Sequence, residues 1–269
     1  MKMRLCILFC LFLGAFISGL TQNQVSIQGK IIGLTPGQLE YVSPINGHPY
    51  PGFRNPVQWG TEGNFSFQVP MDQPACIVIF YKDNTGIVIA EPGESYQVYF
   101  EQTNRGVVFK VSGLNEIGQN LYNTLPAPYQ IRNDFCSYGE GDDYLAYAEK
   151  VNRKKAEQLA QFKKLLKQKK ISESFYQHIL IERNCYFSTL LTTFPCYWLY
   201  QVSSKTTDEY PAELKQFWKE IMEENPPYDP KNLLSPAWYD YFEYYLEFQK
   251  CLGDSADKNA INQAYQNES

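Results

Sequence analysis

The sequence predicts an α+β protein, in which an N-terminal antiparallel β-domain with a sandwich or barrel-like fold precedes a bundle of about four helices. Two observations lead to this prediction. From residue 24 to residue 113, apolar residues alternate with polar ones or form short β-branched runs, which is typical of strands. From residue 143 onward, apolar residues recur every three or four positions, which is typical of helices.

The strands follow from the side-chain pattern. The runs Ile77–Tyr81 and Ile87–Ala90 are apolar at every position, so we expect two central strands covered on both faces. The Glu-Pro-Gly-Glu sequence at 91–94 predicts a tight turn, because proline presets one φ and glycine supplies a positive one. The other strands are expected at Gln24–Gly33 and Gln38–Ser43, around the alternating Phe65, Phe67 and Val69, around Tyr96, Val98 and Phe100, and at 106–113.

The motifs within these strands and in the turns between them resemble those of a known protein family. The motifs are Ile27-x-Gly29-x-Ile31-x-Gly33, Gly63-x-Phe65-x-Phe67, Pro92-Gly93-Glu94 and Val111 to Asn115. In this order they resemble the N-terminal accessory β-domain of secreted TlpA-like thiol–disulfide oxidoreductases, in which a helical region and a thioredoxin-like domain follow. The resemblance implies the architecture of the accessory region. It does not imply oxidoreductase activity, because the sequence contains no Cys-x-x-Cys pair.

The N-terminus has the character of a targeting segment. Lys2 and Arg4 form a basic region, and Leu5–Leu20 is apolar but short for a membrane span. We expect an exported, periplasmic or outer-surface protein without a stable membrane span, and the alternative is an uncleaved N-terminal anchor. The expected parts of the chain are a signal peptide at 1–22, the β-domain at 23–125, a helical domain at 126–253 and a polar tail at 254–269.

A loop rich in proline and glycine, Pro44–Pro56, is the main candidate for a binding site. Its composition predicts no regular structure. Connecting loops often carry function, and aromatic and basic side chains on them can contact a ligand. The candidate binding residues are His48, Tyr50, Phe53 and Arg54.

Five cysteines remain outside the targeting segment: Cys76, Cys136, Cys185, Cys196 and Cys251. Their irregular spacing does not indicate a disulfide framework, and an odd number leaves at least one without an intramolecular partner. Cys76 opens an apolar strand and is expected to be buried. Pro195 is expected to end a helix, so that a Cys185–Cys196 disulfide requires the chain to turn back. The candidate redox residues are Cys136, which lies in a polar segment, Cys185 and Cys196.

Helices are predicted from Asp143 to Lys170, with an aspartate as N-cap, and from Ser172 to Phe194. The first has apolar positions that include Leu145 and Ala156, and the second is apolar nearly all round, so we expect it to be buried. Two more amphipathic helices are expected after Pro211 and after Ser235. A short helical bridge is expected at Leu114–Leu125.

The net charge of the chain bears on which partners it can bind. The net charge is −5, and an acidic chain does not favour nucleic acid as a partner. Five lysines end the first long helix, where they complement the negative end of the helix dipole, and a membrane-surface role is the alternative.

No recognisable catalytic triad or metal motif is present, and two-carboxylate catalysis, whose residues need no fixed spacing, stays open. The sequence has two histidines, His48 and His178, and lacks the Gly-x-Ser-x-Gly and His-Glu-x-x-His motifs. His178, Glu182 and Cys185 share one helical stripe but lack a fourth ligand, so we predict no metal and no cofactor.

The residues and the resemblance together predict an exported, non-catalytic binding or interaction protein related to the accessory region of TlpA-like oxidoreductases. Its expected partner is an envelope protein or a thioredoxin-like protein. Two alternatives stay open: a thiol-dependent accessory in envelope disulfide metabolism, and a carbohydrate- or peptide-binding β-sandwich.

Overall fold

A computed structural model describes residues 24–35, 37–50, 52–60, 62–128, 143–197 and 211–252. These ranges contain eight β-strands, then five α-helices and one 3₁₀ helix, which confirms the predicted α+β class. The chain divides into two compact units, Met1–Asn123 and Thr124–Ser269. All the strands belong to the first unit, the β-unit, and the second unit is helical.

The β-unit is sandwich-like, with two four-stranded sheets in the orders β4-β1-β7-β8 and β3-β2-β5-β6. The pairs are antiparallel except that β1 and β7 run parallel. The prediction of an antiparallel β-domain therefore holds for every strand pair but this one. The alternation of side chains along a strand does not show in which direction its neighbour runs. The strands are β1 Gln24–Ile32, β2 Leu39–Val42, β3 Arg54–Pro56, β4 Asn64–Pro70, β5 Ala75–Tyr81, β6 Asn84–Ala90, β7 Ser95–Thr103 and β8 Gly106–Gly113.

The continuous apolar runs are buried, as predicted, but only one forms a central strand. Every residue of β5 is buried, and β5 pairs with β2 and β6. By contrast, β6 is an edge strand, although Gly86–Ala90 is buried throughout. An edge strand buried in this way needs partners for its outward backbone groups.

Those partners come from a short helix, α1 (Glu116–Tyr122), and the residue that follows it. Gln119 accepts a hydrogen bond from the amide of Ile89 (3.1 Å) and donates one to its carbonyl (2.7 Å). Asn123 makes the same pair of bonds with Ile87. Asn120 likewise accepts a hydrogen bond from the amide of Val111 and donates one to its carbonyl, on the edge strand β8 of the other sheet. The expected helical bridge is therefore an integral part of the β-unit, because its amide side chains complete both sheet edges.

The predicted turn between β6 and β7 is confirmed. The amide of Glu94 donates to the carbonyl of Glu91 at 3.2 Å, and Gly93 has a φ of 82°. A positive φ at this corner is costly for residues with a side chain, which explains the glycine.

The helical unit contains α2 (Tyr144–Lys167), α3 (Glu173–Tyr197), α4 (Ala212–Glu224), a 3₁₀ helix (Pro230–Leu234) and α5 (Trp238–Leu252). Asp143 caps α2, since its carboxylate accepts the amide of Leu145 at 3.1 Å, as the sequence predicted. Helix α3 packs against α2, α4 and α5 and is the buried helix, also as predicted.

The apolar face predicted for α2 was partly wrong. Leu145 is 58% exposed, and Ala156 is exposed as well. The buried positions are Tyr147, Ala148, Val151, Gln158 and Phe162. The true face therefore includes a polar Gln158, which hydropathy alone would assign to solvent.

Proline does not end α3. The helix continues through Pro195 to Tyr197, so Cys185 and Cys196 lie on one continuous helix, about 16 Å apart at about 1.5 Å per residue. A disulfide between them is excluded by this distance. The prediction that Pro195 ends the helix was wrong, since neighbouring packing can stabilise a helix that a proline interrupts locally.

A buried polar network fixes the segment between α4 and α5. The Asn225 amide donates to Ser188 on α3 (3.2 Å), and the Asn232 amide donates to Asn225 (3.1 Å) and to the Pro226 carbonyl (2.8 Å). Tyr241 on α5 donates to the Asn225 carbonyl at 2.6 Å. These bonds satisfy backbone and side-chain groups that burial would otherwise leave without partners.

Within the described ranges, no helix combines the length and the hydropathy that crossing a bilayer requires.

Candidate functional site

The predicted binding loop begins with a tight hairpin instead of irregular structure. Ile45 and His48 exchange both backbone hydrogen bonds, each 2.9 Å long. The two residues between them, Asn46 and Gly47, have φ values of 51° and 84°. Asn-Gly with two positive φ angles is the sequence preferred in a type I′ turn. The expectation that residues 44–56 lack regular structure was therefore wrong, because Arg54–Pro56 also forms β3.

A contact from the neighbouring connection holds this hairpin in place. The side-chain amide of Gln73, between β4 and β5, donates to the Asn46 carbonyl at 2.9 Å. This bond links the hairpin to the β4–β5 connection, and the hairpin with the described residues up to 53 is here called the 44–53 loop.

Three aromatic rings of the 44–53 loop contact one another in sequence. His48 is 3% exposed, and its ring centroid lies 4.2 Å from that of Tyr50 in an edge-to-face arrangement. Tyr50 and Phe53 follow with centroids 6.2 Å apart. Phe53 is 67% exposed, and Ile45 on the same loop is 50% exposed. Three of the four candidate binding residues thus lie in one row, with its exposed end at Phe53.

The fourth candidate, Arg54, has different neighbours. Its guanidinium lies 4.0 Å from the ring centroid of Phe80 on β5 and 3.4 Å from the carboxylate of Glu40 on β2. These contacts fasten the short strand β3 to its sheet. A partly exposed ion pair of this kind contributes little to stability by itself.

An open cavity of about 190 Å³ adjoins the 44–53 loop. The residues that line it combine apolar surface from two prolines and a methionine with carboxylate and amide side chains. They are Pro44, Asn46, Gly47, Pro70, Met71, Asp72 and Gln73. The sequence could not indicate this cavity, because residues 70–73 are far from the loop in sequence.

Two of the candidate redox cysteines are buried in α3. Cys185 is fully buried, and desolvation raises the pKa of its thiol to about 12. Cys196 is buried too. Because the thiolate is the reactive form, burial disfavours redox chemistry at Cys185. Cys136 lies outside the described residues. In the β-unit, Cys76 is buried in β5, as predicted.

The stripe of His178, Glu182 and Cys185 has a different organisation from a metal site. Both oxygens of Glu182 bond to the guanidinium of Arg183, the Arg183 Nη2 atom at 2.6 Å, and both side chains are fully buried. Burial lowers the pKa of His178 to about 4. In the part of the chain that the structure describes, no group of three His, Cys, Asp or Glu residues could hold a metal ion.

No feature of the sequence indicated the buried Glu182–Arg183 pair, because adjacent charged residues usually lie at the surface. Arg183 also lies 4.3 Å from the ring centroid of Tyr186 and 3.5 Å from the side-chain oxygen of Gln158. The pair thus explains why a glutamine occupies the buried face of α2.

Comparison with known proteins gives little. No family model and no curated protein match the sequence. Among solved structures, the chain is similar to a "putative cell adhesion protein" from Bacteroides ovatus, with 11% identity and a TM-score of 0.24. The match covers 34% of this chain and 43% of that chain. A likeness this weak carries no inference about fold or function.

Proposed function

We propose that this protein is an exported, non-catalytic binding or interaction protein that contacts its partner through the 44–53 loop of the β-unit. The observation that carries the proposal is the exposure of two large apolar side chains: Ile45, on a hydrogen-bonded hairpin, and Phe53, whose amide donates to the Tyr50 carbonyl at 3.0 Å. Exposed aromatic side chains on a pre-organised loop bind with a small loss of conformational entropy. The relation to TlpA-like accessory regions and the envelope location belong to the same proposal and rest on the sequence motifs.

Carbohydrate is the second candidate ligand, and the cavity beside the loop supports it. Asp72, Asn46 and Gln73 offer carboxylate and amide groups for sugar hydroxyls, and an exposed ring at Phe53 can stack on a sugar face. An apolar peptide side chain would instead use Phe53 and Ile45 with little need for these polar groups.

Array binding tests this proposal. The protein is applied to an oligosaccharide array and to an array of extended peptides, together with the variants Phe53→Ala and Val108→Ala. Val108, on β8, is also exposed (39%) and serves as the matched control. We expect one array to bind the protein and the Val108→Ala variant about equally, and the Phe53→Ala variant at least about tenfold less, since a central aromatic contact contributes more than about 1.4 kcal/mol. Binding that is insensitive to Phe53→Ala, or absent from both arrays, would contradict a role for the loop.

The non-catalytic part of the proposal has its own test. An insulin-reduction assay compares the protein with a variant in which every cysteine is alanine. Equal rates are expected, whereas reduction that depends on cysteine would support the thiol-dependent alternative.

A further inference from the structure

Helix α2 and the three residues after it carry an excess of positive charge in an acidic protein. Residues 144–170 contain eight lysines and one arginine against two glutamates, so their net charge is +7. Since the whole chain has a net charge of −5, the rest of it amounts to −12. The basic residues are thus concentrated on α2 and the residues that directly follow it.

These cations are available to a partner. Eight of the nine are exposed, and Lys155 is half-buried. None of the nine makes an ion pair with any described residue. Intramolecular neutralisation therefore does not explain them.

The helix dipole explains only a part of the cluster. The dipole places about half a negative charge at the C-terminus, and its effect is confined to the last turn. Lys164 and Lys167 lie in that turn. Arg153 lies about four turns earlier, beyond the reach of the dipole. In addition, lysines three or four residues apart on one helix repel one another, which costs stability.

Four of the seven cations within α2 share one face, and Glu157 lies at its border. At about 100° per residue, Arg153, Lys163, Lys164 and Lys167 fall within an arc of about 100°. The buried Val151, Gln158 and Phe162 lie on the opposite side of the helix. The basic face therefore extends about 20 Å along the outside of the helical unit, from residue 153 to residue 167.

The composition of this face favours a planar, diffusely charged partner. Lysine attracts anions as a point charge, whereas the phosphates of nucleic acids are more often recognised by the planar fork of arginine. The face has small residues, Ala156 and Ala160, between its charges, and no aromatic ring on which a base could stack. Between residues 153 and 167 it offers no large exposed apolar anchor for a protein interface.

We propose that the basic face of α2, defined by Arg153, Lys163, Lys164 and Lys167 with the adjoining Lys169 and Lys170, binds the anionic headgroups of a phospholipid bilayer. The contact is electrostatic and peripheral. It concerns the helical unit and holds whether or not the 44–53 loop binds a ligand.

Vesicle co-sedimentation of the full chain tests the inference. One set of vesicles is an equal mixture of phosphatidylcholine and phosphatidylglycerol, and the other is phosphatidylcholine alone, which measures any contribution of apolar segments. We expect binding to the anionic vesicles at about 0.1 M salt and its loss at about 1 M, where the Debye length falls from about 10 Å to about 3 Å.

A charge-matched pair of variants localises the effect. Each lysine near an anionic surface contributes about fivefold in partition coefficient, so replacing Lys163, Lys164 and Lys167 by glutamine should lower it on the order of 100-fold. Replacing Lys30, Lys215 and Lys219 by glutamine removes the same charge elsewhere and should change it only a few-fold. Replacing the first three lysines by arginine keeps the charge and should keep the binding.

Three results would overturn the inference: equal binding to both kinds of vesicle, unchanged binding after glutamine replaces Lys163, Lys164 and Lys167, or equal losses in the two glutamine variants. Binding to a duplex DNA oligonucleotide without binding to vesicles would also overturn it and would assign the face to nucleic acid. Circular dichroism of each variant separates loss of charge from loss of helix.

Discussion

The buried edge of β6 depends on one glutamine. Gln119 satisfies both the amide and the carbonyl of Ile89, at 3.1 Å and 2.7 Å, and both residues are fully buried. The substitution Gln119→Met keeps most of the side-chain volume and removes both hydrogen bonds. It therefore isolates the hydrogen bonds from the packing.

The expected loss follows from the two backbone groups that remain buried without partners. Each such group costs about 1–3 kcal/mol, so the variant should lose about 2–6 kcal/mol of unfolding free energy. This is a large share of the about 5–15 kcal/mol that typically stabilises a domain. The loss should be confined to the β-unit, because Gln119 belongs to that unit.

Urea unfolding with hydrogen-exchange mass spectrometry measures this effect. We expect faster exchange in the peptide that contains residues 84–90, with little change in peptides from α3. The control is Gln28→Met, at an exposed position on β1. Its free energy of unfolding should differ from that of the unsubstituted protein by no more than about 0.5 kcal/mol. If Gln119→Met cost less than about 1 kcal/mol and left exchange at β6 unchanged, the edge would not depend on these bonds.

Three further predictions concern the interior of the helical unit. Native Cys185 should resist iodoacetamide at pH values near 8 and react after unfolding, because burial raises the pKa of its thiol to about 12. Glu182→Gln should cost about 3–5 kcal/mol in urea unfolding, because it leaves the buried guanidinium of Arg183 without its counter-charge, whereas replacing Glu182 by Met and Arg183 by Leu together should cost less. Burial lowers the pKa of His178 to about 4, so as the pH falls the imidazole is protonated in the unfolded chain before it is protonated in the folded one. The free energy of unfolding should therefore fall by about 3 kcal/mol as the pH drops from about 6.5 to about 4. The decrease should be smaller in the His178→Gln variant.

Each of these predictions can fail in a specific way. Rapid alkylation of Cys185 in the folded protein would mean that the thiol is accessible, and would favour the thiol-dependent function. A double variant at 182 and 183 that loses as much as both single variants combined would show that the two charges are not coupled. An identical pH dependence with and without His178 would mean that carboxylates alone account for acid sensitivity.

Much of the fold was readable from local patterns. Alternation placed the strands around Phe65 and Tyr96, and the Pro-Gly sequence at 92–93 predicted its turn, because these features depend on neighbours in sequence. Strand order was not readable. The parallel pairing of β1 with β7 and the edge position of β6 depend on contacts between distant segments.

The candidate site was readable only in part. His48, Tyr50 and Phe53 were predicted together and lie in one row of rings. Arg54 was grouped with them because it is close in sequence, yet its contacts are with Phe80 and Glu40 across the sheet. Asn46 and Gly47 carried a recognisable hairpin signal that the proline-rich composition obscured.

By itself, the sequence determined the two-part architecture, the buried character of α3 and the excess of charge on α2, because periodicity and charge are properties of consecutive residues. Only the tertiary structure decided which polar residues lie inside. Hydropathy alone would place both Gln119 and Gln158 at the surface. In the structure, Gln119 hydrogen-bonds the backbone of the edge strand β6, and Gln158 lies beside the buried guanidinium of Arg183. Burial of a polar group depends on a partner that can replace water, and that partner is brought into place by the fold.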